Sequence, residues 1–465
     1  MTAPEGPVGS VMRPGYGGPF RRRGRAGATN RKMTIWLLAA GVVAFAVSIA
    51  GLITLFVAWP AELWTMVDVQ VYVWGGHMAR LQGTPYQGAF QIYNLHLYFT
   101  YPPMAAAVFW VVSDLPLAVV KWLITSASVA SLAGVTWLSW GKLGYRRTRG
   151  RLSATLLVTA IALWLEPVQQ TLAFGQVNAV LMLVVVADLC LPDGSLLKGV
   201  GVGLAAGFKL TPLIFVPYLL LTRRYRAAVV ALGTFGFTIA ASDLLLPTAA
   251  HQFWARWTFL KLSRVGNVAY IGNQSLYGAL IRLLGSTRAA HPYYLGAATV
   301  IGLAGLLLAA GLSWRGHELA GVVTCALTGL LVSPVSWSHH WVWIVPTLVV
   351  LTDLAVRTGK SALRAPRRVA DRLAFTAAGL AVVAVLALTI AYPFHAAPGA
   401  PRLPAGLIWT VPPRALQGLR LTGYQELIAN LYVLVCLVGL TAVGVCLLVQ
   451  AAGQDARARA REGLL

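Results

Sequence analysis

The chain has 465 residues, of which 58% are apolar and 11% charged, and its mean hydropathy is +0.70. Water-soluble domains carry about a quarter charged residues, so a soluble enzyme is excluded and an all-α polytopic membrane protein is expected. A net charge of +23 would suggest nucleic acid in a soluble chain. Here the basic residues stand in short clusters between apolar runs, so no nucleic-acid partner is expected.

Met1 to Lys32 is rich in Pro, Gly and Arg and reads RRRGR at Arg21 to Arg25. It has too little apolar surface to fold and is expected to be a disordered basic cytoplasmic tail over residues 1–32. No short apolar core with a small-residue cleavage site precedes the first apolar run, Met33 to Val57, which reads as an uncleaved anchor. Residues 33–450 are expected to form a single transmembrane catalytic domain, and 451–465 a second basic cytoplasmic tail.

Further apolar runs lie at Leu115 to Trp140, Leu152 to Leu165, Leu172 to Leu191, Leu196 to Phe208, Leu210 to Leu221 and Ala227 to Leu246. The last five are Tyr293 to Trp314, Leu319 to Val332, Trp341 to Val356, Leu373 to Tyr392 and Ile428 to Val449. A spanning helix needs about twenty apolar residues, so these runs predict about twelve crossings, some of them short. Leu196 to Leu221 can also be read as one bent hairpin. Threaded alternately, the runs put the basic clusters at the first tail, Lys142 to Arg151, Arg223 to Arg226, Arg357 to Arg372 and Arg457 to Arg461 on one side. Short cytoplasmic loops collect Lys and Arg, so that side and both termini are expected in the cytoplasm. Three long segments, Ala58 to Asp114, Pro247 to Pro292 and Pro393 to Glu426, then face outward. Gly199, Gly201, Gly203 and Gly207 follow no strand and sit in an apolar run, so they predict close helix packing and not a dinucleotide loop.

The four cysteines lie inside apolar runs without a C-x-x-C pair, and the fourteen carboxylates include no D-x-D. No metal and no cofactor is expected.

The first outer segment contains DVQVY from Asp68, TPY from Thr84 and TYPP from Thr100, which includes Tyr101. Asp68 reads either as the N-cap of a helix over Val69 to Gln82, stopped by Gly83, or as a general base at the membrane surface. Other polar groups reach the same level from distant parts of the chain. They are Glu166 in LEPVQQT, Gln176 and Asn178 in FGQVN, Lys209 in FKLTP, Asn273 and Gln274 in GNQS, and Ser336, His339 and His340 in SPVSWSHHW. Polar groups at membrane depth cost several kcal/mol unless paired or hydrated, so these clusters predict an outward-facing polar cavity. Lys209 reads as a phosphate ligand, or as a structural cation that snorkels or pairs with a carboxylate such as Glu166. Adjacent histidines diverge on a helix, so one of His339 and His340 is expected to point into the cavity.

These motifs, in order from Asp68 to Trp343, resemble the polyprenyl-phosphate-dependent glycosyltransferases of family 87. Within that family they are similar to actinobacterial α-(1→2)-mannosyltransferases that build phosphatidylinositol mannosides and lipomannan. The resemblance implies a GT-C-like membrane fold with its active site on the outer, periplasmic face. The implied partners are a polyprenyl-phosphate sugar donor, a glycolipid acceptor and membrane lipids. It implies an inverting transfer with Asp68 as the base, His339 or His340 assisting, and the remaining polar groups binding donor or acceptor. The chain reads DVQVY where some relatives carry a second acidic residue, which leaves one base. A flippase of lipid-linked sugar would also need a polar cavity and a buried cation, but polar groups on one face and no internal repeat disfavour it. An arabinofuranosyltransferase would differ only in the sugar.

Overall fold

The structure, a computed structural model, describes residues 24–92, 95–395, 402–411, 421 and 423–462. Residues 1–23 of the expected N-terminal tail lie outside the described residues. From Gly24 on, that stretch is already helical. The C-terminal helix likewise continues through the expected tail to Glu462.

The chain is an all-α polytopic membrane protein with two small antiparallel hairpins. It opens with α1 (Gly24–Ala58), a one-turn α2 (Pro60–Leu63) and α3 (Val67–Gln82). Strands β1 (Phe90–Ile92) and β2 (Leu95–Leu97) pair with Phe90 opposite Leu97, and α4 (Pro103–Val112) follows. Next come α5 (Leu117–Lys142), α6 (Arg149–Ala162), α7 (Glu166–Phe174), α8 (Asn178–Cys190), α9 (Val200–Phe208), α10 (Phe215–Leu221) and α11 (Tyr225–Leu245). The second long loop holds α12 (Pro247–Ala250), three irregular turns and α13 (Leu276–Leu284). Then α14 (Thr287–Trp314), α15 (Glu318–Val332), a 3-10 turn at Ser338–Trp343, α16 (Ile344–Arg364) and α17 (Val369–Thr389) lead to β3 (Tyr392–His395) and β4 (Arg402–Ala405). The chain ends with α18 (Tyr424–Ala429) and α19 (Leu431–Glu462).

Among the described residues, seven helices are long and apolar enough to cross a membrane, or eight if the sharply bent pair α7 and α8 forms one span. The other expected runs fall on the shorter helices α6, α9, α10 and α15 and on that bent pair. Leu172 to Leu191 is one run, yet it splits at Gly175, and the helices on either side meet at 116°. Leu196 to Leu221 splits at Lys209, where the backbone turns extended (φ −150°, ψ 126°) before Pro212 starts a 3-10 turn. Proline lacks the N–H that would continue a helix, so α9 and α10 stay separate.

The loops gather by end. At one end Arg224 forks onto Glu318, Arg357 donates to the Leu143 carbonyl, and Lys198 pairs with Asp193. At the other end the long loops interlock: Leu246 and Phe253 pack on Val71 and Tyr72, Asn273 bridges Trp337, and Leu165 bridges Ile390. Breaks in the α7–α8 and α9–α10 runs bring polar side chains to this second end.

Helix α9 lies flush on α11, as the glycine spacing predicts. A Cβ on Gly203 would stand 2.5 Å from the Ala231 carbonyl, and one on Gly207 would stand 2.2 Å from Thr238 Oγ1. Overpacking a helix contact costs ~1–3 kcal/mol, more against backbone. Gly203→Val is therefore expected to lower the thermal unfolding midpoint of the purified protein, whereas the same change at Gly233, which has open space around it, leaves it nearly unchanged.

Candidate active site

Asp68 is not the helix cap that its position suggested. Helix α3 starts one residue earlier, with Met66 as N-cap in the left-handed region (φ 47°, ψ 62°) and no side-chain cap. Gly83 does end the helix, at φ 69°. Freed from capping, the Asp68 carboxylate reaches across the fold and accepts a hydrogen bond from Gln176 Nε2 at 2.6 Å through Oδ2. Its Oδ1 accepts none among the described residues. Burial pushes the Asp68 carboxyl up to about 6, against the opposing pull of the Gln176 hydrogen bond and the Lys209 charge.

Gln176 can reach Asp68 because of the glycine before it. Gly175 closes α7 with φ 68°, and a Cβ there would stand 2.2 Å from Val69 Cγ2 and 3.2 Å from Met66. The bend between α7 and α8 therefore sits directly on the start of α3. Gln176 Oε1 accepts from Tyr72 (2.8 Å) and Tyr101 (2.9 Å), whose hydroxyls also contact each other at 2.7 Å. Two donors on the amide oxygen leave the amide nitrogen to face Asp68. Tyr72 was not singled out from the sequence; its i+4 spacing from Asp68 on one helix face is the signal that could have found it.

Asn178, two residues on, has the opposite task. Its Nδ2 donates to the His339 carbonyl at 2.9 Å, and its Oδ1 accepts from Lys209 Nζ at 2.9 Å. Lys209 Nζ also lies 3.0 Å from His340 Nε2, 3.4 Å from the Tyr101 hydroxyl and 5.3 Å from that ring's centroid. The alternative in which Lys209 pairs with Glu166 does not hold: both carboxylate oxygens of Glu166 accept from other groups, Trp409 Nε1 and the Tyr432 hydroxyl. Lys209, Asn178 and His340 line a small cavity of about 50 Å³ with Met182, Thr211 and Trp343.

The two histidines diverge as the spacing required. His340 lines the cavity, and buried His339 stacks edge-on against Phe174 with its ring 5.2 Å away. His339 Nε2 and His340 Nδ1 are buried without a partner among the described residues. Thr171 and Asn178 both donate to the His339 carbonyl, which pins the histidine turn to the α7–α8 bend.

Asp68, Tyr101, Gln176, Asn178, Lys209 and His340 thus form one connected cluster. Glu166, Asn273, Gln274 and Ser336 are fully buried but do not join it. Asn273 holds the Val268 and Pro334 carbonyls and the Ser336 N–H, and Gln274 holds the Ile271 and Ala429 carbonyls and the Tyr432 N–H. These amides stitch the loops beneath the histidines. Trp409 and Tyr432, which anchor Glu166, carried no polar signal in an apolar stretch and were missed.

Residues 99–334 match the family model described as glycosyltransferase family 87. The chain is 36% identical over 293 residues to a Mycobacterium tuberculosis polyprenol-phosphate-mannose-dependent alpha-(1-2)-phosphatidylinositol pentamannoside mannosyltransferase, covering 62% of this chain and 66% of that one. It is 34% identical over 356 residues to a Mycolicibacterium smegmatis polyprenol-phosphate-mannose-dependent alpha-(1-2)-phosphatidylinositol mannoside mannosyltransferase, covering 70% and 76%. A second Mycobacterium tuberculosis protein, with the same printed activity as the latter, is 32% identical over 332 residues, covering 68% and 77%. The chain belongs to glycosyltransferase family 87. The family 87 match spans α4 to α15 and takes in Tyr101, Gln176, Asn178 and Lys209, while Asp68 and His340 lie just outside its two ends.

Because Gly175 both adopts a positive φ and touches Val69, Gly175→Ala is expected to shift the α7–α8 bend away from α3. Turnover per folded protein should fall at least tenfold, more than the accompanying loss of thermal stability accounts for. Unchanged turnover would show that the Gln176–Asp68 contact is not needed.

Proposed function

We propose that this protein is a polyprenyl-phosphate-mannose-dependent α-(1→2)-mannosyltransferase acting on a glycolipid of the phosphatidylinositol mannoside class. The observation that carries the reading is the cluster itself, a carboxylate with one open oxygen joined through amide and phenol groups to a lysine that has no carboxylate partner among the described residues. In the proposed reaction the Asp68 carboxylate takes the proton from an acceptor hydroxyl. The acceptor oxygen forms its bond to the mannose anomeric carbon as the bond from that carbon to the phosphate oxygen breaks, and the electron pair leaves with the polyprenyl phosphate. A β-linked donor and an α-linked product make this a single inverting displacement.

Lys209 Nζ and His340 are the groups proposed to offset the phosphate charge as it develops, in a half-buried setting where such interactions are stronger than in water. His339 is proposed to position the turn that carries His340. Glu166, Asn273, Gln274 and Ser336 are proposed to support the site by holding its loops. The relatives' names carry two acceptor classes, a phosphatidylinositol mannoside and its pentamannoside, and both fit this chemistry.

The proposed architecture is GT-C-like, in a bacterial plasma membrane, with both termini cytoplasmic and the Asp68 cluster facing outward. The bent pair and the shorter apolar helices Pro103–Val112, Thr211–Leu221 and Glu318–Val332 would raise the seven long spans toward about twelve. Support for the orientation comes from the clustering of basic loops at the end opposite the site.

Asp68→Asn keeps the side-chain volume and removes the base, so mannosyl transfer from polyprenyl-phosphate mannose should fall 10²- to 10⁴-fold with the fold intact, as is typical of a positioned base. In the parent enzyme the base must be ionised. With its carboxyl at about 6, kcat/KM should be level above that pH and drop about tenfold per unit below it. A well-folded Asp68→Asn enzyme with near-parent turnover would refute the assignment.

Orientation is checked by single-cysteine labelling in intact cells, in a chain whose own four cysteines are replaced. Ser263→Cys should react with an impermeant reagent at once, and Arg364→Cys only after permeabilisation. The reverse pattern would turn the site to the cytoplasm.

A further inference from the structure

The loop between α12 and α13 holds a cation that the Asp68 cluster does not use. Arg264 ends a 3-10 turn at Leu262–Arg264, and its guanidinium carbon lies 4.5 Å from the centroid of the Tyr98 ring. Its Nε and Nη2 form the edge that grips a carboxylate or phosphate in a fork. Both are buried and bond to nothing among the described residues.

Three other arginines of the fold have partners. Arg282, in the same loop region, donates to Asn430 Oδ1 and to the Tyr270 and Asn273 carbonyls. Arg80 and Arg224 pair with carboxylates. No carboxylate pairs with Arg264 among the described residues, and the titratable groups that feel its charge are the phenols of Tyr98 and Tyr86. Buried donors without acceptors are uncommon in native folds, and a guanidinium edge left this way suits an anion that arrives with a ligand.

The surroundings indicate which ligand. Tyr86 and Tyr98 belong to the connector from α3 to α4, and the Tyr86 hydroxyl donates to the carbonyl of Tyr101, whose own hydroxyl lies beside Lys209. Arg264 therefore flanks the segment that forms one wall of the proposed active site. On the surface next to it, Trp257 and Leu260 are 60% and 61% exposed, alongside exposed Arg256 and Lys261. Exposed apolar and cationic side chains together are the pattern of a segment lying in a membrane interface.

We propose that Arg264 binds the phosphate of a membrane-borne lipid substrate at the mouth of the site, a second phosphate position separate from Lys209. The inference rests on the proposed reaction, in which the donor's single phosphate lies at Lys209 and the phosphatidylinositol-type acceptor brings a phosphodiester of its own to Arg264.

The test uses the purified full-length protein and measures binding of a short polyprenyl monophosphate and, separately, of phosphatidylinositol in mixed micelles by tryptophan fluorescence. Arg264→Gln should weaken phosphatidylinositol about tenfold and the polyprenyl monophosphate little, with an unchanged unfolding midpoint, and the KM for the acceptor should rise with kcat nearly constant. A loss confined to the polyprenyl monophosphate would put the donor's one phosphate at Arg264 and overturn a second position separate from Lys209. Arg264→Lys should recover part of the affinity, because an ammonium keeps the charge but cannot fork. If Arg264→Gln does not fold, Arg264→Lys is read alone, with severalfold weaker binding expected. Parent-like affinity for both lipids in a folded variant overturns the proposal and leaves Arg264 as a prop for the loop. Mannosyl transfer that persists with binding unchanged removes the phosphate position alone; binding lost on substitution in a protein that transfers no mannose removes the proposed reaction alone.

Discussion

The direction of one amide governs the proposed active site. Tyr72 and Tyr101 both donate to Gln176 Oε1, so the amide can present only its N–H to Asp68. Turned over, the amide would set its oxygen against the carboxylate and leave two phenol donors facing an NH₂ group. The tyrosines therefore act on Asp68 without touching it. The result is a balance in which one hydrogen bond stabilises the ionised carboxylate and burial opposes it. Burial wins, placing the carboxyl at about 6. An aspartate near its ordinary value would be a weak base at neutral pH, whereas this one holds a proton more firmly once taken.

That balance depends on the backbone break at Gly175. The same turn ends α7 and starts α8, so it delivers two amides of opposite duty within three residues. Gln176 turns toward α3, and Asn178 spans the gap between Lys209 and the histidine turn. The break is held from behind as well. Glu166 at the start of α7 is tied to Trp409 and to Tyr432 at the start of α19, and a Cβ on Gly406 would collide with its side chain at 2.6 Å. The last helix therefore belongs to the support of the site although it supplies nothing to the cluster.

Much of this was legible in the sequence, for a physical reason. Gln176, Asn178, Lys209 and His340 stand out because polar groups in apolar runs need partners, and the structure joins Asn178 and His340 at Lys209 and sets Gln176 on Asp68. Tyr72 and Tyr432 were silent because a tyrosine in a membrane protein reads equally well as a ring in the core or at the interface. Who pairs with whom was equally beyond local pattern. Pairing of Lys209 with Glu166 is one of the alternatives their charges allow, and the fold sends them to different neighbours. Asp68 followed the statistics of helix starts only by residue type, since α3 begins one residue ahead of it and Met66 takes the cap position. Hydropathy also cannot tell a long spanning helix from a short or bent one: seven of the expected runs are long helices, and the others fall on shorter helices and the bent pair α7 and α8.

The disposition of charge separates the two ends of the molecule. At the basic end, cations sit on carboxylates directly: Lys198 on Asp193, Arg224 on Asp193 and Glu318, Arg357 on Asp353. At the site end, Asp68 and Lys209 are linked only through neutral groups, since Gln176 and Tyr101 stand between them and Asn178 and His340 complete the lysine's contacts. Direct pairing would have relieved the cost of burying both charges, but it would also have quenched the base and blocked the cation. Keeping them apart leaves one charge able to take a proton and the other able to meet a phosphate. That separation is what the inverting displacement proposed for this site requires.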